Sequence, residues 1–257
     1  MRLDAFLCEK GLAKSRTFAK TLIEGGYVEV NGKTAKKPAV DVSDGDSVKV
    51  TGTPYEYVSR GGVKLAAALD SFCVCPKDMI CVDIGASCGG FTDCLLRRGA
   101  EKVYAVDSGT DQLDEKLKCD SRVVSMEGFN ARELDRESLG QVCDMAVADV
   151  SFISQTLIIP AVPRVLRNDG IYIFLIKPQF ECGRSALSKG GIVKDKKQQA
   201  AAVCRTIQCA EENGMGALGL IKSPVTGGDG NTEYLAYCRM GSPGTVNDET
   251  VKKVCGI

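Results

Sequence analysis

The sequence predicts an α/β protein, a doubly wound, Rossmann-like sheet of seven strands ending in an antiparallel hairpin, preceded by a small α+β unit. Three observations carry this. An apolar run, Met79 to Ile84, opens onto the small-residue turn Gly85-Ala86-Ser87-Cys88-Gly89-Gly90, and a helical pattern starts at Phe91. A second apolar run, Lys102 to Val106, stops at Asp107. The last two strand-like runs, near Ala217–Ile221 and Glu233–Cys238, flank Pro224 to Asn231, too short for a crossover helix, so they pair antiparallel.

Residues 1–50 read as the small unit. Leu3 to Glu9 and Ser15 to Glu24 carry helical spacing, with Leu3, Phe6 and Leu7, then Phe18, Leu22 and Ile23, as apolar faces. Ser15 is placed to cap the second helix and Gly25-Gly26 to end it. Tyr27 to Val30 is a strand that turns at Asn31-Gly32, and Ser47 to Val50 is a later one. Residues 51–60, with Thr51-Gly52-Thr53-Pro54, are expected to be a linker. Ser59 and the following glycines lead into a helix from Val63 to Asp70. Lys64 then falls in its first turn, where the helix dipole disfavours a cation.

The large domain, 61–240, alternates strands and helices. After the strand 79–84 come a helix at 91–98, strands at 102–107 and 122–126, and a strand at Met145–Ala148 that ends on Asp149. A helix from about 155 to 166 leads through Asn168-Asp169-Gly170 into Ile171–Ile176, which ends at Lys177-Pro178. A helix from Lys196 to Glu212 precedes the final hairpin. Residues 241–257 read as a loose C-terminal tail or a short terminal helix.

Composition narrows the chemistry. The chain has 257 residues, zero formal net charge and no apolar run long enough to span a bilayer. Its start carries an acid and lacks the apolar core of a signal peptide, so a cytoplasmic location is expected. Thirteen cysteines, an odd number, mostly in apolar runs, argue against a disulfide framework, and Cys73-Val74-Cys75 has no second pair at metal spacing. No metal is expected. There is no histidine, which removes histidine-based hydrolysis and metal ligation and leaves carboxylate, tyrosine, cysteine or lysine as a general base.

Ligands of doubly wound sheets gather at the carboxyl ends of the strands. Asp107, Asp149 and Lys177 stand there, Lys64 enters from the preceding helix, and Glu233 opens the last strand. A dinucleotide fingerprint needs glycine two places after Gly85, where Ser87 stands. The form Asp83-x-Gly85-x-x-x-Gly89-Gly90 is closer to the S-adenosylmethionine loop of methyltransferases, and five parallel strands plus a hairpin is the seven-stranded methyltransferase sheet. Methyl transfer to a hydroxyl requires that hydroxyl to lose its proton. A free lysine, with a pKa near ~10.4, is almost fully protonated at neutral pH; burial and a second ammonium both favour the neutral amine. Lys177 is therefore the expected base or oxyanion-positioning group. Lys64 would favour its deprotonation and stabilise the developing alkoxide, and Asp149 and Glu233 would orient the lysines.

Two resemblances extend this reading. Arg2-Leu3-Asp4, Ser15-Arg16-x-x-Ala19-x-x-Leu22-Ile23 and Gly26-x-Val28-x-Val30-Asn31-Gly32-Lys33 resemble the S-four-like RNA-binding module. The resemblance implies RNA contact by Arg2, Lys14, Arg16, Lys20, Lys33 and Lys36. Up to Lys37 the unit carries eight basic residues against four acids, which suits phosphate. Ser59-Arg60-Gly61-Gly62-Val63-Lys64-Leu65, Asp83 to Phe91, Ala148 to Phe152, Ile176 to Phe180 and Gly230 to Glu233 resemble, in order, the FtsJ-like 2′-O-methyltransferases, and among them the TlyA branch, often labelled haemolysin A. That family implies a catalytic tetrad at Lys64, Asp149, Lys177 and Glu233, and RNA contact at Arg60. It implies S-adenosyl-L-methionine held by Asp83, Gly85, Ser87, Gly89, Gly90, Phe91, Asp107, Asn130 and Asp149, and a cytidine ribose in ribosomal RNA or ribosomal subunits as substrate. Cys88 and Ser108-Gly109-Thr110-Asp111 depart from the family pattern. The Gly190-Gly191-Ile192-Val193 turn suits a lid.

Three rivals remain at this point. Ser87 and the hairpin count against a dinucleotide oxidoreductase. The complete tetrad counts against a non-catalytic RNA-binding ribosome assembly factor. The lack of an amphipathic or apolar membrane segment counts against a lytic toxin.

Overall fold

The computed structural model describes the chain apart from residues 14, 53–55 and 229, so Lys14 and the Thr53-Pro54 part of the expected linker lie outside the described residues. The chain forms two compact units, Met1–Glu56 and Tyr57–Ile257.

In the first unit α1 (Leu3–Glu9) and α2 (Arg16–Glu24) pack on a three-stranded antiparallel sheet of β1 (Val28–Val30), β2 (Lys33–Thr34) and β3 (Val48–Val50), ordered β2-β1-β3. Ser15 caps α2 by accepting the Phe18 N–H. Asn31 and Gly32 both take positive φ, 51° and 75°, which a two-residue hairpin turn requires. Leu3, Leu7, Ala19, Leu22, Ile23 and Val28 close a small core of their own.

The second unit opens with α3 (Arg60–Ser71), capped by Ser59, then β4 (Ile80–Ile84), α4 (Gly90–Arg97) and β5 (Lys102–Asp107). After the short α5 (Glu115–Lys118) come β6 (Val123–Glu127), α6 (Arg136–Leu139) and β7 (Cys143–Ala148). The short α7 (Val162–Val165), β8 (Leu166–Ile176) and α8 (Pro178–Glu181) lead to α9 (Lys196–Glu212), β9 (Met215–Lys222), β10 (Tyr234–Met240) and α10 (Asp248–Cys255). The sheet order is β6-β5-β4-β7-β8-β10-β9. The first five are parallel; β10 runs antiparallel to both β8 and β9. Period-two alternation sorts the strand side chains onto two faces. Val82, Ile84, Ala146, Ala148, Tyr172 and Phe174 join one core, and Cys81, Val103, Met145, Val147, Ile173 and Leu175 the other. Each large apolar side chain buried this way contributes roughly 1.5–3 kcal/mol. The sheet therefore fixes where the strand ends stand. Strand order reverses between β4 and β7, so their loops diverge and leave a crevice.

Two segments differ from expectation, and a third takes one of its two expected forms. The helix expected at 155–166 is broken into 3-10 turns at Gln155–Leu157 and Ile159–Ala161 followed by α7, because Pro160 and Pro163 lack the N–H a continuous helix needs. The Asn168-Asp169-Gly170 turn lies inside β8 as an irregularity: Cys143 pairs with Leu166 and Met145 already with Ile171. The segment 241–257 holds α10, capped by Asn247, with Val251 and Cys255 buried in the core beside α9.

Candidate active site

Four strand ends and one helix build the site. Beyond β4, Gly85 turns with φ 81°, and a Cβ there would lie 3.0 Å from the Asp149 carbonyl oxygen, so glycine lets the β4 and β7 loops approach. The Ser87 N–H donates to Asp107 Oδ2 at 2.7 Å, and the Gly109 N–H donates to Asp107 Oδ1 at 2.8 Å. One carboxylate at the end of β5 thus braces two loops. Together they line a cavity of about 490 Å³ that also takes in Asn130, Asp149, Ser151 and Phe152. A second cavity of about 170 Å³ shares Gly85, Ser87, Asp149 and Ser151, and reaches Gly61, Gly90, Phe91 and Lys177.

Of the residues expected on the cofactor, Gly85, Ser87, Gly90, Phe91, Asp107, Asn130 and Asp149 line these cavities. Asp83 and Gly89 are not among the lining residues. Asp83 is fully buried beneath the loop, accepting the Thr92 N–H at 2.9 Å and the Thr92 hydroxyl at 2.6 Å on Oδ2, while Oδ1 has no partner. Burial pushes its carboxyl up to about 7, against the pull of the Thr92 hydrogen bonds. Asp83 braces the start of α4. Gly89, at φ 90°, begins that helix, and a Cβ there would lie 2.2 Å from Leu117 Cδ1.

The four charged residues converge. Lys64 Nζ donates to Glu233 Oε2 at 2.6 Å and lies 3.8 Å from Asp149 Oδ2. Lys177 Nζ lies 2.6 Å from Asp149 Oδ1, an ion pair without hydrogen-bond alignment, and donates to Ser151 Oγ at 2.7 Å. Asp149 therefore stands between two lysines that are 113 positions apart, since 177 − 64 = 113. Lys64, Lys177 and Glu233 are all buried. Two ammonium groups against two carboxylates leave the cluster formally neutral, which lowers the penalty of burying it.

Sequence reasoning missed Ser151, Phe152 and Phe180. Phe152 is 92% exposed at the mouth of the larger cavity, holds φ 63°, and its ring lies 5.3 Å from that of Phe180. The available signal was their place: Ser151 and Phe152 stand two and three residues past Asp149, and Phe180 three past Lys177. The Gly190–Val193 turn is anchored from inside: the buried Asn231 accepts the Val193 N–H on Oδ1 and donates from Nδ2 to the Gly191 carbonyl.

In the first unit Arg2 makes two hydrogen bonds to the buried Asp4, at 3.0 and 3.1 Å, and Arg16 a third at 3.2 Å. The paired guanidiniums hold the Asp4 carboxyl down at about 2, the Arg2 hydrogen bonds being the largest cause. Lys20, Lys33 and Lys36 are exposed. Arg60, in the second unit, lines a cavity of about 200 Å³ with Gly61, Lys64, Thr226 and Gly228.

A crevice at the β4–β7 switch with this tetrad at its edge agrees with a match of residues 57–240 to the FtsJ-like methyltransferase profile. The chain belongs to the FtsJ-like methyltransferase family. Residues 1–48 match the S4 domain. The chain is 43% identical over 242 residues to Hemolysin A of Brachyspira hyodysenteriae, covering 92% of this chain and 99% of the relative. It is 42% identical over 239 residues to the 16S/23S rRNA (cytidine-2'-O)-methyltransferase TlyA of Mycobacterium tuberculosis, covering 93% of this chain and 89% of the relative. A solved structure of a candidate hemolysin from Streptococcus thermophilus superposes with a TM-score of 0.81 at 40% identity, covering 100% of this chain and 94% of that one. The seven-stranded order and the reversed last pair are thus those of an FtsJ-like enzyme carrying an S4 domain.

Proposed function

We propose that this FtsJ-like enzyme transfers a methyl group from S-adenosylmethionine to the 2′-hydroxyl of a cytidine in ribosomal RNA. The observation that carries the reading is the convergence of Lys64, Asp149, Lys177 and Glu233 at the edge of the strand-end crevice. The crevice fits the donor: Asp107 and Asp149 present carboxylates to a cationic ligand, and Gly85 admits close approach to the backbone. Bound there, S-adenosylmethionine supplies a methyl carbon activated by its sulfonium.

The chain's residues do the rest. Lys177 takes the hydroxyl proton after passing one on, and Asp149 at 2.6 Å is the neighbouring acceptor. Lys64, held by Glu233, stabilises the developing alkoxide. Ser151 and Asp149 fix the Lys177 amine so that the hydroxyl meets the methyl group in line. Phe152 offers a flat face for a base turned out of its stack, and the half-exposed arginines of the S4 domain grip RNA phosphates. An rRNA substrate places the reaction in the cytoplasm.

Ribose-methylation mapping of rRNA from cells with and without the gene tests the reading. One or more cytidine marks should vanish with the gene and stay absent when Lys177→Ala is supplied in its place. Marks that persist without the gene, or return with Lys177→Ala, refute the reading. The Hemolysin A likeness raises a lytic alternative. Among the described residues no helix is long and apolar enough to cross a membrane. Dye release from liposomes at an rRNA-methylating protein concentration would favour that alternative.

A further inference from the structure

We infer that Glu181, a buried carboxylate outside the tetrad, is a positioning residue that holds Phe152 over the crevice by clamping the loop after β7 to α8. The inference rests on the RNA-methylating reading above. Phe152 combines two unfavourable features: a left-handed backbone, φ 63°, at a residue with a Cβ, and a phenyl ring left 92% exposed. Burial of its own ring cannot hold that conformation, so neighbouring contacts must.

Those contacts begin two residues along. The Ser154 hydroxyl donates to Glu181 Oε2, and the Gln155 N–H donates to Oε1 at 2.8 Å. Both carboxylate oxygens are therefore used by the loop. Gln155 is itself locked to β8, donating to the Leu175 carbonyl at 3.1 Å and accepting from the Tyr172 hydroxyl at 3.1 Å. On the other side, Arg205 of α9 donates to the Glu181 carbonyl oxygen at 2.6 Å and fixes α8. Glu181 follows Phe180, whose ring meets Phe152, and Lys177 stands at the N-cap of α8. Only 7% of Glu181 is exposed, and burial raises its pKa while the two loop donors and Arg205 oppose that. A carboxylate is costly to bury unless its lone pairs are filled. Here the loop fills them, so the charge and the loop geometry are maintained together.

The chemistry predicts which replacement works. In Glu181→Gln the amide oxygen still accepts from Gln155. Its NH2 can donate to Ser154 Oγ, whose hydroxyl turns to Thr156 Oγ1, 2.7 Å away. Glu181→Ala removes both anchors.

The test measures methyl transfer to the rRNA substrate and S-adenosylmethionine affinity by calorimetry in full-length variants that unfold cooperatively. Glu181→Ala should lower kcat/KM for RNA by about tenfold, as should Phe152→Ala, with unchanged cofactor affinity. The double variant should be no worse than Phe152→Ala alone, because both remove one device. Glu181→Gln should lie within about threefold of wild type. Ser154→Ala, which removes a single loop donor, should lose about threefold, and nothing further when Phe152 is already alanine; it keeps the test open where Glu181→Ala does not fold. Wild-type kcat/KM in Ser154→Ala or in folded Glu181→Ala, or losses that multiply in the double variant, would overturn the inference. An inactive wild-type protein would instead indict the RNA-methylating reading.

Discussion

Both units pair acids with cations, but with different cations and exposures. In the S4 domain, Asp4 is fully buried and holds two arginines whose side chains are 49% and 60% exposed. In the methyltransferase domain, Asp149 and Glu233 hold two lysines that are 10% and 9% exposed. Guanidinium keeps its charge at any physiological pH and presents a rigid fork to phosphate; an amine can give up a proton. On the proposed reading the difference is a division of labour: arginine where a charge must persist, lysine where a proton must move.

The most severe way to break this contrast is Lys177→Arg. It keeps the positive charge beside Asp149 but not a nitrogen that can accept a proton, so methyl transfer should fall by ~10²–10⁴-fold with cofactor affinity retained. Near-normal turnover would remove the distinction. Next in size is Asp4→Asn, which frees both arginines. The KM for rRNA should rise by about tenfold at constant kcat, and an unchanged KM would show that the fork needs no anchor.

A third test sets Asp4 against Asp83, two buried aspartates with opposite surroundings. Asp4, pulled down to about 2 by its arginines, contributes stability that is full above roughly pH 4 and lost as pH falls through 2. Asp83, pushed up to about 7 by burial, binds its proton more tightly when folded, so its contribution to stability declines as pH rises from about 4 to 7. Urea midpoints should show Asp4→Asn converging on wild type toward pH 2. Asp83→Asn should abolish part of the wild-type decline between about pH 4 and 7; parallel profiles would mean Asp83 titrates normally. The smallest expected effect is Lys20→Ala, an exposed cation on α2. It should flatten the slope of log affinity for RNA against log salt by about 1 without changing kcat.

Legibility followed locality. Three of the four could be named because Asp149 and Lys177 follow parallel strands and Glu233 opens β10, ends that such a sheet brings to one edge, while Lys64 stood in the first turn of the helix before β4. Ser151, Phe152, Phe180 and Glu181 were not singled out because their meaning lies in contacts between two loops, set by the packing of β7 beside β8. Asp83 sits one residue before Ile84, and its side chain points to the face shared with Cys81, under α4 rather than into the crevice. Period-two alternation alone contained that information. Pro160 and Pro163 likewise signalled the broken helix within the chain itself.

The sequence by itself determined the two units, the strand order class, and the identity of the groups available for chemistry, because periodicity, turn residues and the lack of histidine are properties of the chain. Only the tertiary structure decided which acid faces which cation. Asp149 lies between Lys64 and Lys177, Asp4 between Arg2 and Arg16, and Asp83 faces no cation among the described residues. The physical reason is that a charge's protonation and use depend on distance and burial within a few ångströms, and sequence separation carries no measure of either.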